Sequence, residues 1–144
     1  MATDFYTELI TEHSRDGRNR RPVEGATCSH HGVNPSCGDE LTLELRVADG
    51  KIADAAFTGS GCAISQASAS MMADILRGKS VEDGNRLAEL FLGMIKGDVT
   101  DEADLEELEE AIALQGVSKM PARVKCAVLP WHTYQKAVSG ATDA

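Results

Sequence analysis

The stretch Asn34-Pro35-Ser36-Cys37-Gly38-Asp39-Glu40-Leu41-Thr42-Leu43-Glu44-Leu45-Arg46-Val47-Ala48-Asp49-Gly50 decides the fold. In its second half Leu41, Leu43, Leu45 and Val47 alternate with Thr42, Glu44 and Arg46, the period of a strand with one buried face. Asp49-Gly50 is a tight hairpin turn, so a returning strand is expected over 51–57, ended by Thr58-Gly59-Ser60-Gly61. In its first half a Pro/Gly turn sets a sulfur, Cys37, two residues from a carboxylate, Asp39.

Outward from this hairpin the chain reads as one domain over residues 1–144. Phe5, Tyr6, Leu9 and Ile10 recur at helical spacing, with Thr3 or Asp4 as N-cap, and this helix should end near Ser14. Arg15, Arg18, Arg20 and Arg21 then form a basic cluster, read either as a solvated loop or as a docking patch for an acidic partner. Residues 26–33, with Cys28, His30 and His31, suit an edge strand, where alternation allows at most one of the two histidines to face a shared site. Cys28 has no second ligand type at short spacing and reads as a structural thiol.

After Cys62, residues 63–77 form a helical pattern with Ile64, Ala67, Met71 and Ile75 on one face and Gly78 as its stop. Its small residues, Ser65, Ser68, Ala69 and Ser70 among them, would let another element approach closely. Ser80 with Asp83 is a capping signature for a helix packing through Leu87, Leu90, Phe91 and Met94 and stopping near Gly97. The segment 98–116 is acidic, and Leu105, Leu108 and Ile112 mark it as one amphipathic helix ending at Gly116. Pro130 would break a helix that began at Pro121, so the last helix is expected to start near Cys126 or Ala127, with residues 139–144 disordered. The expectation is an α+β domain: a small antiparallel sheet of about three strands packed against several helices.

Composition limits the function. A chain of this length removes roughly 68 to 70% of its unfolded surface from water and needs no staples. The net charge of −9 argues against nucleic acid as a partner, since phosphate binding draws on clustered Lys and Arg. No window is apolar enough for a membrane span and no secretory leader is visible, so a cytoplasmic location is expected. There, four cysteines without a Cys-x-x-Cys pair fit metal binding or reactivity better than disulfides.

Zinc accepts thiolate and carboxylate ligands in tetrahedral geometry, and Cys37, Asp39, Cys62 and Cys126 would supply four. Their wide separation means that only the folded domain could assemble them. Cys62 stands at an expected helix N-terminus and Cys126 beside Lys125 at another, contexts that favour a thiolate. Taken singly, each is equally readable as an ordinary buried cysteine.

Three strings change that balance: Asn34-Pro35-Ser36-Cys37-Gly38-Asp39, Gly59-Ser60-Gly61-Cys62-Ala63-Ile64-Ser65 and Arg123-Val124-Lys125-Cys126-Ala127. In this order they resemble the three cysteine motifs of the IscU-like iron-sulfur assembly proteins, and the similarity runs through nearly the whole chain. Lys125 stands where the scaffold branch has a histidine, and the segment through Leu114-Gln115-Gly116-Val117-Ser118-Lys119 resembles the insertion of the SufU-type branch. The resemblance implies a zinc-dependent sulfurtransferase that takes persulfide sulfur from a SufS-type, pyridoxal-phosphate-dependent cysteine desulfurase and passes it to a downstream iron-sulfur scaffold. It implies Cys37, Asp39, Cys62 and Cys126 as zinc ligands and Cys37 as sulfur acceptor, freed when a desulfurase histidine takes its place on the metal. Arg123 is either an anchor for the sulfur anion or a surface ion-pair residue. The alternative is a scaffold holding a nascent iron-sulfur cluster, or iron, on the same ligands. Asp16-Gly17 and Pro130 depart from the family pattern, which bears on docking and helix geometry rather than on the ligands.

Overall fold

The computed structural model describes residues 2–15, 17–36 and 38–143, with side chains described between residues 7 and 139 of those ranges. The order is α1 (Ala2–Arg15), β1 (Cys28–Asn34), β2 (Asp39–Ala48), β3 (Lys51–Ser60), α2 (Ala63–Leu76), α3 (Val81–Lys96), α4 (Glu102–Glu106), a 3-10 helix (Glu109–Lys119) and α5 (Pro121–Asp143). The three strands form one antiparallel sheet in the order β1-β2-β3. This is the expected α+β architecture. The side chains of Thr3, Asp4, Phe5 and Tyr6, assigned to the cap and apolar stripe of α1, lie outside the described residues.

The hairpin forms as its sequence dictates. Asp49 (φ 54°) and Gly50 (φ 75°) both take the left-handed conformation that a two-residue turn between twisted strands demands. Leu41, Leu43 and Leu45 are buried with Ile52, Ala55 and Phe57 of β3. This face packs against α2, a helix buried on nearly every side because Ala and Ser at 65–70 and 73 let its neighbours approach. Phe91 of α3 stacks on Trp131 of α5, ring centroids 4.6 Å apart and 12° from parallel. Gly32 lets β1 lie on α5, since a Cβ there would meet Thr133 Oγ1 at 2.1 Å.

Three expectations need correction. The last helix starts at Pro121, not near Cys126, and runs through Pro130 to Asp143. Pro121 fills the first helical position, where a missing N–H costs nothing. Pro130 removes one ladder bond, an interruption outweighed by the burial of Leu129, Trp131, Tyr134 and Ala137 around it. The same continuation overturns the expectation of disorder from Ser139.

The acidic segment is not one α-helix. α4 stops at Glu106, Glu109 has φ 51°, and a 3-10 helix follows to Lys119, past the expected end at Gly116. Leu105, Leu108, Ala111, Leu114 and Val117 are buried at every third position, the period of a 3-10 helix rather than of an α-helix. Its charges are partly paired: Arg86 holds Glu107 at 2.8 Å, and the buried His13 holds Glu110 at 2.7 Å.

The basic cluster is largely consumed inside the molecule. Arg21 grips Asp54 through two bonds of 2.9 Å, Arg18 reaches Asp74 at 2.7 Å, and Arg20 donates to the carbonyl of Ser14. Between them the buried Asn19 donates to the Ser70 carbonyl at 3.1 Å and to Asp74 at 3.0 Å, and accepts from Arg77 at 2.6 Å. The loop is thereby stapled to α2 and β3, which leaves little of the docking-patch reading.

Candidate metal centre

β2 begins on Asp39. β3 ends on Ser60, and Gly61 leads to Cys62, the N-cap of α2. Cys126 lies in the second turn of α5. The hairpin register places the start of β2 beside the end of β3, with Glu40 opposite Ser60 and Leu41 opposite Gly59. Asp39 therefore meets the start of α2 by strand pairing alone. Two glycines permit the contact: a Cβ on Gly59 (φ 132°) would lie 2.4 Å from the Glu40 carbonyl oxygen, and one on Gly61 would lie 2.7 Å from Asp39 Oδ1.

The donor atoms of Asp39, Cys62 and Cys126 all lie within 4.8 Å of one another. Asp39 is 1% exposed and Cys126 fully buried, whereas Cys62 is half-buried and gives the centre its open side. The Cys62 backbone N–H donates to Asp39 Oδ1 at 2.8 Å, which leaves Oδ2 facing the Cys62 sulfur at 4.0 Å. Ser65 Oγ donates to the Cys62 carbonyl at 3.0 Å and stands 3.9 Å from its sulfur. Ser68 Oγ donates to the carbonyl of Ala127 at 2.6 Å, which fastens α2 to α5 one residue beyond Cys126.

Two sulfurs and a carboxylate oxygen are a donor set suited to a borderline-soft divalent metal. Ligand atoms around a tetrahedral zinc stand roughly 3.5 Å apart, so donors within 4.8 Å of one another would close by at most about 1.3 Å. The residues fit such an ion. The sequence-expected fourth donor, Cys37, lies outside the described residues.

Cys62 stands at the start of α2 as expected, whereas Cys126 lies in the second turn of α5 rather than at a helix start, because α5 begins at Pro121. Arg123 and Lys125 are exposed on α5, next to the centre in sequence. His31 is turned to solvent, bonding Thr42 at 2.9 Å and Glu40 at 3.3 Å, and neither it nor His30 belongs to the donor group. Cys28 stands apart too, its thiol pKa raised by burial. Ser65 and Ser68 escaped sequence reasoning as contributors, although their place in a small-residue run after Cys62 was the available signal.

Residues 5–141 match the model of the NifU-like N terminal domain. The chain belongs to that family. Among relatives of this NifU-like domain, the zinc-dependent sulfurtransferase SufU of Bacillus subtilis is 38% identical over 136 residues, 94% of this chain and 90% of that one. An iron-sulfur cluster assembly scaffold protein IscU of Thermotoga maritima is 40% identical over 134 residues, 93% of this chain and 92% of that one. The crystal structure of the SUF-system protein of Fervidobacterium islandicum superposes with a TM-score of 0.85 at 35% identity, covering 96% of this chain and 99% of that one. The three-strand sheet with its helices thus matches the fold of that SUF-system structure. Among the described residues no helix is long and apolar enough to cross a membrane.

Proposed function

We propose that this chain is a zinc-dependent sulfurtransferase of iron-sulfur cluster assembly, accepting persulfide sulfur from a SufS-type cysteine desulfurase. The observation that carries this reading is the convergence of Asp39, Cys62 and Cys126 from three separate elements at the open end of the sheet. Cys37, which falls between β1 and β2 in the sequence, is the fourth ligand and the sulfur acceptor. When bound, zinc supplies a positive centre that keeps its sulfur ligands deprotonated.

The chain's own residues divide the work. Asp39 is aimed by the Cys62 N–H and, as a hard oxygen donor, holds a borderline metal less firmly than a third thiolate would. The Cys37 thiolate attacks the outer sulfur of the desulfurase persulfide; a new S–S bond forms to Cys37 as the old one breaks, and the desulfurase cysteine leaves as a thiolate with the electron pair. Arg123, exposed in the first turn of α5, holds the resulting persulfide anion. A downstream scaffold is the recipient. The acidic insertion near 98–116 and Lys125 in place of histidine support this branch over a scaffold that retains the cluster.

The test combines metal analysis with a matching desulfurase. Stoichiometric zinc, enhanced sulfide release, and a Cys37→Ala variant that still binds the desulfurase without stimulating it are expected. Stable cluster absorbance without stimulation would establish the scaffold reading instead, which the IscU-named relatives favour.

A further inference from the structure

We infer that Asn34 is a positioning residue of the metal centre, donating from its side-chain amide to the Asp39 carboxylate when a cation is bound. The inference deepens the proposed function, because it concerns the same site.

Asn34 ends β1 and is the register partner of Asp39 at the start of β2. Both are buried, Asn34 at 6% exposure and Asp39 at 1%, so both point from the same face of the sheet. Antiparallel partners on one face hold their Cβ atoms about 4.5–5.5 Å apart, within reach of an amide-to-carboxylate bond. Yet, among the described residues, Asn34 Nδ2 is sealed from solvent and has no hydrogen-bond partner. A buried donor left unmatched costs about 1–3 kcal/mol and calls for an explanation.

The surroundings narrow the choice of acceptor. On its outer side Asn34 borders a cleft of about 280 Å³ lined by Val33, Lys125, Val128, Leu129 and His132, but Nδ2 is closed off from it. Toward the interior stands Asp39, whose Oδ1 takes the Cys62 N–H and whose Oδ2, among the described residues, faces the Cys62 sulfur at 4.0 Å. A cation drawing the three donors together would hold one carboxylate oxygen of Asp39, and the carboxylate keeps acceptor lone pairs to spare. Rotation of the Asn34 amide then satisfies the orphaned N–H and locks the carboxylate. Hydrogen bonds to ligating carboxylates of this kind typically carry 10–100-fold in metal affinity.

The experiment is zinc affinity by chelator competition on the full chain, with the cobalt(II) spectrum and the metal-free melting temperature measured beside it, for the parent, Asn34→Ala and Asn34→Ser. The Ala variant should bind zinc about 10- to 100-fold more weakly and shift the cobalt bands, while the metal-free protein melts no lower than the parent, since Asn34 Nδ2 has no partner there among the described residues. The Ser variant, which keeps a short donor, should fall between parent and Ala. Parental zinc affinity in Asn34→Ala overturns the inference. So does equal weakening in both variants with a lower metal-free melting temperature, which would make Asn34 a packing residue. None of these readouts involves the desulfurase: a parent that binds zinc but stimulates no desulfurase defeats the sulfurtransferase reading alone, and one that takes no zinc overturns both.

Discussion

The Ser68 hydroxyl donates to the Ala127 carbonyl at 2.6 Å and accepts from the Trp131 indole N–H at 3.1 Å. One buried side chain thus ties the helix that begins at Cys62 to the helix that carries Cys126. The Ala127 carbonyl lies one residue past Cys126, so the bond fixes that cysteine's height along α5 relative to α2. Ser68→Ala should leave the indole N–H unmatched and lower unfolding stability by about 1–3 kcal/mol in urea titration. Zinc affinity should fall with it, because the distance between the two sulfurs would no longer be held.

Asp39 serves the fold and the metal through different atoms. Asp39→Asn keeps an oxygen for the Cys62 N–H but loses the charge, so the metal-free protein should melt near the parental temperature while zinc affinity drops at least tenfold. Asp39→Ala should lower both, because the Cys62 N–H at the start of α2 then lacks its side-chain acceptor. Chelation of the parent should reduce its melting temperature to that of the metal-free protein, since binding energy is also folding energy.

Gly61 is required by space, not by its dihedral angles. A Cβ there would stand 2.5 Å from Ser65 Oγ and 2.7 Å from Asp39 Oδ1, and neither atom can retreat without leaving its bond to Cys62. Gly61→Ala should therefore weaken zinc binding by more than tenfold, read by chelator competition, with far-ultraviolet circular dichroism unchanged.

Acid should loosen the stapled loop. The Arg21 hydrogen bonds, with further help from the Ala55 N–H and Arg77, lower the Asp54 pKa from 3.8 to about 2. A depressed carboxylate contributes stability that is fully present above its unfolded value, near pH 4, and is lost as pH falls through about 2. With Asp54 17% exposed and Arg21 41% exposed, the contribution is about 1–2 kcal/mol after solvent screening. Asp54→Asn should lower stability at neutral pH by that amount and flatten the decline between pH 4 and 2 in acid titration.

The sequence by itself determined the hairpin, because alternation of Leu41, Leu43 and Leu45 with polar residues and an Asp49-Gly50 turn leave the backbone one arrangement that buries a single face. It determined α3 through the Ser80 cap and the Gly97 stop, both of which act within one turn of chain. It also pointed to Asp39, Cys62 and Cys126, the three donors that the fold brings together, since few side chains can serve a metal and they stood in recognisable strings. What depends on distant partners was decided only by the tertiary structure. Packing of Leu129, Trp131 and Tyr134 carries α5 through Pro130 against local propensity and so leaves Cys126 inside the helix instead of at its start. Arg21 and Arg18 are held by Asp54 and Asp74, residues over thirty positions away, and the segment 109–119 became a 3-10 helix once it had a core to face. The unmatched amide of Asn34 beside Asp39 belongs to the same class: which polar groups are left without partners is fixed by the whole packed molecule, and no local pattern records it.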